Sequence, residues 1–171
     1  MPYEYAMSLF GDDPLARASV LDAFSPDHPS RLRIIHGDYT TRNKSQENIS
    51  LAIVDWELCR YGCVTEDVGF IITSLYIQWR FEDTPCAELI LREFIRGYGP
   101  LDEPLVFRMV GLMGIHLLMW EKLGLMSGGN VDDARVQELQ AHAKNFFING
   151  AQKNREWLLD DGVLGDFLRA E

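Results

Sequence analysis

His36-Gly37-Asp38-Tyr39-Thr40-Thr41-Arg42-Asn43 and, twelve residues after Asn43, Asp55-Trp56-Glu57 are the stretches on which this sequence turns. In front of the first, Leu32 to Ile35 reads as a short strand running straight into His36. Behind it, Lys44-Ser45-Gln46-Glu47-Asn48 reads as a turn, and Ile49 to Val54 as a second strand ending at Asp55. The pattern predicts a small β hairpin with acidic residues where its strands stop. A strand end is a rigid mount, so a charge there is held at the rim of the core. An Asp and an Asn on one loop, with an Asp from the neighbouring strand, suit phosphoryl transfer. That reaction needs one carboxylate to orient the attacking hydroxyl and accept its proton, and oxygen ligands for Mg²⁺ at the nucleotide phosphates.

Outward from the hairpin the sequence reads as helix. Asp13-Pro14 is a cap followed by Pro at the first helical position, opening a helix to about Phe24 with Leu15, Val20, Leu21 and Phe24 on one side. Thr65 is read as the cap of a helix to about Arg80, apolar at Val68, Ile71, Ile72, Leu75 and Trp79. Thr84-Pro85 opens another, closed by Gly97 and Gly99-Pro100. Pro104 starts a long apolar helix to about Leu125, and a last one runs from about Val131 toward Leu158. The expected class is α+β, mostly α-helical: one helix, the hairpin, then four helices.

The 171 residues fit a single domain, 1–171, with enough chain to bury a core. A net charge of -10 argues against a nucleic-acid partner and is compatible with a cationic substrate. Met109 to Trp120 is the most apolar run, of a length that suits a buried core helix rather than a membrane span. The start of the chain lacks a basic region leading into an apolar stretch. Three cysteines without framework spacing point to reduced thiols. A cytoplasmic location is the expectation from these features, with no membrane partner.

His36-Gly37-Asp38-x-x-x-x-Asn43 resembles the catalytic loop of the aminoglycoside phosphotransferase and choline kinase-like superfamily, within the protein kinase-like group. Val54-Asp55-Trp56-Glu57 resembles the metal-binding segment of these small-molecule kinases, and Glu66-Asp67-Val68-Gly69 the helix behind the loop. The resemblance runs in detail from about Leu32 to Trp79. It implies a protein kinase-like C-terminal lobe and an ATP- and Mg²⁺-dependent transfer to a small-molecule hydroxyl, such as an amine-bearing alcohol or sugar. By the resemblance, Asp38 is the catalytic base, and His36 packs beneath the loop and holds it. Asn43 and Asp55 bind the metal and nucleotide, Glu57 is a further metal-site or substrate residue, and Asp67 ties the loop down.

Each of these residues has a plainer use. Asp38 and Asn43 suit a turn beside Gly37, Asp67 a first helical turn, Asp55 a strand end, and His36 a structural position. Four elements in the right order on strand, loop, strand and helix favour the joint reading. His28, His116 and His142 are read as structural or surface residues, and Trp56, Tyr76 and Trp79 as core in preference to the lining of a substrate pocket. The Gly-rich loop and strand lysine of a nucleotide lobe do not precede His36, where no lysine occurs before Lys44. The expectation is therefore a C-terminal lobe with the N-terminal nucleotide lobe absent from the chain, and the alternative is a non-catalytic binding module derived from such a kinase.

Overall fold

The computed structural model describes residues 2–23, 25, 32–39, 44–47, 50–122 and 133–168. Asn43, Arg42, His28 and Phe24 lie outside the described residues. Helices α1 (Pro2–Phe10) and α2 (Pro14–Ala23) lead into strands β1 (Leu32–Ile35), β2 (Lys44–Glu47) and β3 (Ser50–Ile53). A 3-10 turn, Trp56–Leu58, connects to β4 (Arg60–Cys63). Helices α3 (Val64–Arg80), α4 (Ala87–Tyr98), α5 (Glu103–Lys122), α6 (Asp133–Gln152) and α7 (Arg155–Asp160) follow, with a last 3-10 turn at Leu164–Leu168. The mostly helical α+β class is as expected.

The centre is α5, packed between α3 and α6, with α2 lying across α5 and α6. Met109, Val110, Met113 and Leu117 of α5 are buried among Ile71, Ile72 and Leu75 of α3 and Phe146 and Phe147 of α6. Among the described helices α5 alone is long and apolar enough to cross a bilayer, but 83% of its stretch Glu103–Trp120 is buried inside the fold. That burial agrees with the core-helix reading.

The strand pairing differs from the expected single hairpin. β1 pairs antiparallel with β4, from Leu32 opposite Cys63 to Ile35 opposite Arg60, and β2 pairs with β3 as a separate ribbon. Lys44 to Glu47, expected as a turn, is thus a strand. Ladder pairing is made by the backbone, so a polar run can still take it. The practical result is that the segment carrying Asp55 and Glu57 connects β3 of one ribbon to β4 of the other.

Other local expectations shift for identifiable reasons. Asp13 caps α2 as read, accepting from Leu15 N at 3.0 Å and Ala16 N at 3.2 Å. The buried face of α2 is Ala16, Ser19, Val20 and Ala23, whereas Leu15 and Leu21 are exposed. Small residues are needed there because Ser19 Oγ lies close to Gly111 of α5 and Gly150 of α6. Thr65 is not a cap. It is buried in the first turn of α3, donating to Cys63 Sγ. The expected last helix is broken at Lys153, where φ is 51°, and restarted by Asn154, whose side chain accepts from Trp157 N at 3.1 Å.

Candidate active site

Asp67 lies in the first turn of α3, where the helix dipole favours a carboxylate. Its Oδ2 accepts from His36 N at 2.7 Å and its Oδ1 from Gly37 N at 2.9 Å. One carboxylate therefore satisfies two successive amides of the chain leaving β1, with charge-assisted bonds. Gly37 has φ +85°, a left-handed conformation that suits glycine and swings the backbone outward toward Asp38.

His36 is buried, 2% exposed, and both of its ring nitrogens are used. Nε2 lies 2.7 Å from Val54 O, and since a carbonyl only accepts, Nε2 carries the proton. Nδ1 is then the acceptor of a long 3.4 Å bond from Asp38 N. The ring packs against Tyr39 and Trp56, with centroids 5.9 and 4.8 Å away. Burial, and then the Asp67 charge, push the Tyr39 phenol above its usual value.

Both acids flank these contacts. Asp38 is two residues beyond His36 and is exposed, and Asp55 follows Val54 and is exposed too. The His36–Val54 bond joins the loop of the first to the strand end of the second. Asp55 has φ 67° and ψ 50°, a left-handed conformation uncommon outside glycine, of the sort found where function imposes the geometry. Glu57 sits on the exposed 3-10 turn immediately after it. Trp56, read as core, is instead 49% exposed, with its indole nitrogen donating to Ile53 O. It lines a cavity of about 250 Å³ together with His36, Tyr39, Asp67, Phe94 and Tyr98. Tyr76 is core as expected, and Trp79 packs half-buried against it.

Two residues at the site have roles that sequence reasoning missed. Arg60 donates from Nη2 to Glu66 Oε2 at 2.5 Å and from Nη1 to Leu58 O at 3.5 Å. The two side chains are six residues apart in sequence and meet only because β4 turns straight into α3. Their opposite charges on either side of Gly62 were the available sign.

Among the described residues no three or more His, Cys, Asp and Glu side chains converge as a metal site. Mg²⁺ does not require such a cluster. It keeps several waters and takes one or two carboxylates together with phosphate oxygens. Exposed Asp38, Asp55 and Glu57 are hard oxygen donors of that kind, so the residues present fit a magnesium–nucleotide complex.

The family described as the phosphotransferase enzyme family matches residues 4–108. The chain belongs to that family. This phosphotransferase-family chain is 30% identical over 125 residues to Phosphotransferase FrzJ of Cladobotryum sp, covering 73% of the chain and 31% of that protein. It is 26% identical over 153 residues to the 4-hydroxytryptamine kinase of Psilocybe cyanescens, covering 84% of the chain and 41% of that protein. With the 4-hydroxytryptamine kinase of Psilocybe cubensis the identity is 26% over 119 residues, 64% of the chain and 33% of that protein. The chain thus spans from under a third to about two fifths of the length of these curated relatives. No solved structure gives a significant match.

Proposed function

We propose that this chain is the C-terminal, catalytic lobe of an ATP- and Mg²⁺-dependent phosphotransferase acting on a small-molecule hydroxyl. The carrying observation is the paired restraint on the acids: Asp67 clamps the amides of His36 and Gly37, while His36 ties Asp38's loop to the carbonyl before Asp55. Asp38 orients the acceptor hydroxyl and takes its proton. Asp55, with Glu57 two residues on, and Asn43 supply oxygen ligands for the metal. Mg²⁺, when bound, neutralises charge on the transferred phosphoryl group and its nucleotide. His36 and Asp67 act by holding the loop that carries Asp38.

The acceptor class proposed is an amine-bearing alcohol or phenol. Two relatives are named as kinases of 4-hydroxytryptamine, a phenolic amine, and an acidic chain suits a cationic partner. A cytoplasmic setting, where ATP is abundant, fits the reading.

Calorimetric titration of the chain with MgATP, set against Asp55→Ala, tests the metal and nucleotide part. Phosphoryl transfer from ATP to 4-hydroxytryptamine by the intact protein, set against Asp38→Ala, tests the chemistry. Loss of a general base lowers kcat by about 10²–10⁴-fold with little change in KM. Undiminished transfer by Asp38→Ala would overturn the assignment.

A second reading is a non-catalytic binding module. It is favoured by Ile34 and Tyr61, which face each other across the β1–β4 ribbon at 63% and 77% exposure. Sedimentation separates the two: a clean monomer that binds MgATP favours the kinase lobe, and self-association without nucleotide binding favours the module.

A further inference from the structure

Arg60 opens β4 directly opposite Ile35, the last residue of β1 before His36. Its half-exposed side chain turns back over the loop. A Cβ built on Gly37 would lie 2.5 Å from Leu58 O and in closer contact still with Arg60 Nη1. The guanidinium therefore rests against the bare Gly37 backbone. Glu66 reaches it past a second glycine, Gly62, where an added Cβ would sit 3.1 Å from Glu66 Oε1. The pair, anchored through Glu66 in the first turn of α3, touches two pieces of backbone: Gly37 before Asp38 and Leu58 in the turn after Asp55.

A half-exposed ion pair contributes little to stability by itself, and these side chains are 49% and 24% exposed. Its consequence here is geometric. His36 fixes the Asp38 loop to the strand end at Val54, but nothing in that bond controls the turn beyond Asp55. Arg60 supplies the missing link, and its planar fork suits the task better than a lysine would, because two nitrogens address two different segments.

We infer that Arg60, held in place by Glu66, is a positioning residue that sets the placement of Asp38 relative to the Asp55–Glu57 turn. The inference rests on the phosphotransferase reading for its kinetic consequence and stands on the geometry alone for its structural one. Arg60 acts through Gly37 and Leu58, and the reacting groups remain those already assigned.

The test has two arms on the variants Arg60→Lys, Arg60→Met and Glu66→Gln. In the chain alone, amide hydrogen exchange is followed for peptides covering 33–39 and 56–60 and for an α5 peptide. Loss of the pair accelerates exchange in the first two about tenfold and leaves α5 unchanged. In the intact phosphotransferase, kcat falls by about 10- to 100-fold for Arg60→Met with KM for both substrates within about twofold, and Arg60→Lys recovers only part of it. Unchanged exchange at 33–39 and 56–60 would overturn the inference, as would equal acceleration in α5, which marks a general structural role. A rise in KM for ATP with kcat preserved would also overturn it, since that is the signature of a direct phosphate contact. If the unsubstituted protein transfers no phosphate, the phosphotransferase reading fails and the exchange arm still decides whether Arg60 and Glu66 set this geometry.

Discussion

The carboxylate of Asp67 grips the loop after β1 at His36 by a 2.7 Å bond to its backbone amide, across 31 residues of sequence. Oδ1 of the same group takes the next amide, Gly37 N. An asparagine in this place offers one acceptor and turns an N–H toward an N–H. Asp67→Asn is therefore expected to lose about 2–3 kcal/mol of stability, the order for a charged hydrogen bond lost with a buried amide left unmet. Urea denaturation measures the loss. The same variant lowers phosphoryl transfer through kcat, since Asp38 is then carried on a looser loop.

Gly37 is under two constraints at once, a φ of +85° and a Cβ position already filled by Leu58 O and Arg60. Gly37→Ala must either strain the backbone or push the turn after Asp55 away. The expected cost is about 1–3 kcal/mol, seen as a lowered melting temperature, with transfer reduced beyond what the lost stability explains. Gly97, which has open space around it, is the control: Gly97→Ala lies within α4 and is stabilising by about 0.5–1 kcal/mol.

His116 gives the fold an acid sensitivity independent of the site. It is fully buried in α5, stacked on Phe70 with centroids 3.5 Å apart, and its Nδ1 finds no partner among the described residues. Burial pushes its pKa from the usual 6.5 down to about 3, against a smaller opposing pull from the Gly69 carbonyl. The unfolded chain thus binds a proton that the fold refuses between about pH 6.5 and 3. The stability from keeping this ring neutral is full above about pH 6.5 and is lost as pH falls through that window. Between pH 7 and 5 the loss is about 2 kcal/mol. Urea midpoints at the two pH values measure it, and His116→Leu should flatten the dependence by that amount.

How much of this was legible beforehand follows the range of each interaction. Strand β1, the Asp13 cap and the helices α3, α4 and α5 rest on local pattern, and the sequence shows them. The order His36, Asp38, Asp55, Asp67 was visible as a resemblance; the structure shows Asp67 on the His36 and Gly37 amides and His36 on the carbonyl before Asp55. Asn43, the other half of the loop motif, lies outside the described residues. The pairing of β1 with β4 was not legible, because Leu32–Ile35 would suit either of two later strands and the choice is made by where α3 docks. The buried face of α2 was misread because hydrophobicity favours Leu15 and Leu21, while the close approach of α5 and α6 demands Ala16 and Ser19. Arg60 and Glu66 show only charge in sequence, and their use of the space left by Gly37 and Gly62 exists only in three dimensions.

Arg108 ties the start of the chain to the core and yields the last prediction. Its guanidinium is 5% exposed and donates to the carbonyl oxygens of Asp22, Ala23 and Ser25, where α2 ends. The final carbonyls of a helix have no partner within it, and a cation there also meets the negative end of the helix dipole. Arg108 thus does for the C-terminus of α2 what Asp13 does for its N-terminus, but from the central helix. Arg108→Met keeps much of the side-chain volume and removes every one of these donors. The expected cost is about 3 kcal/mol, as for one side of a buried charged network, and it should appear as loss of protection in the α2 amides before the rest of the fold opens. Arg108→Lys retains the charge but reaches fewer carbonyls and should recover only part of the loss. Hydrogen exchange of the α2 peptide, followed with the melting temperature, decides the point: equal stability of Arg108→Met and the unsubstituted chain would show that the C-terminal end of α2 is held by packing alone.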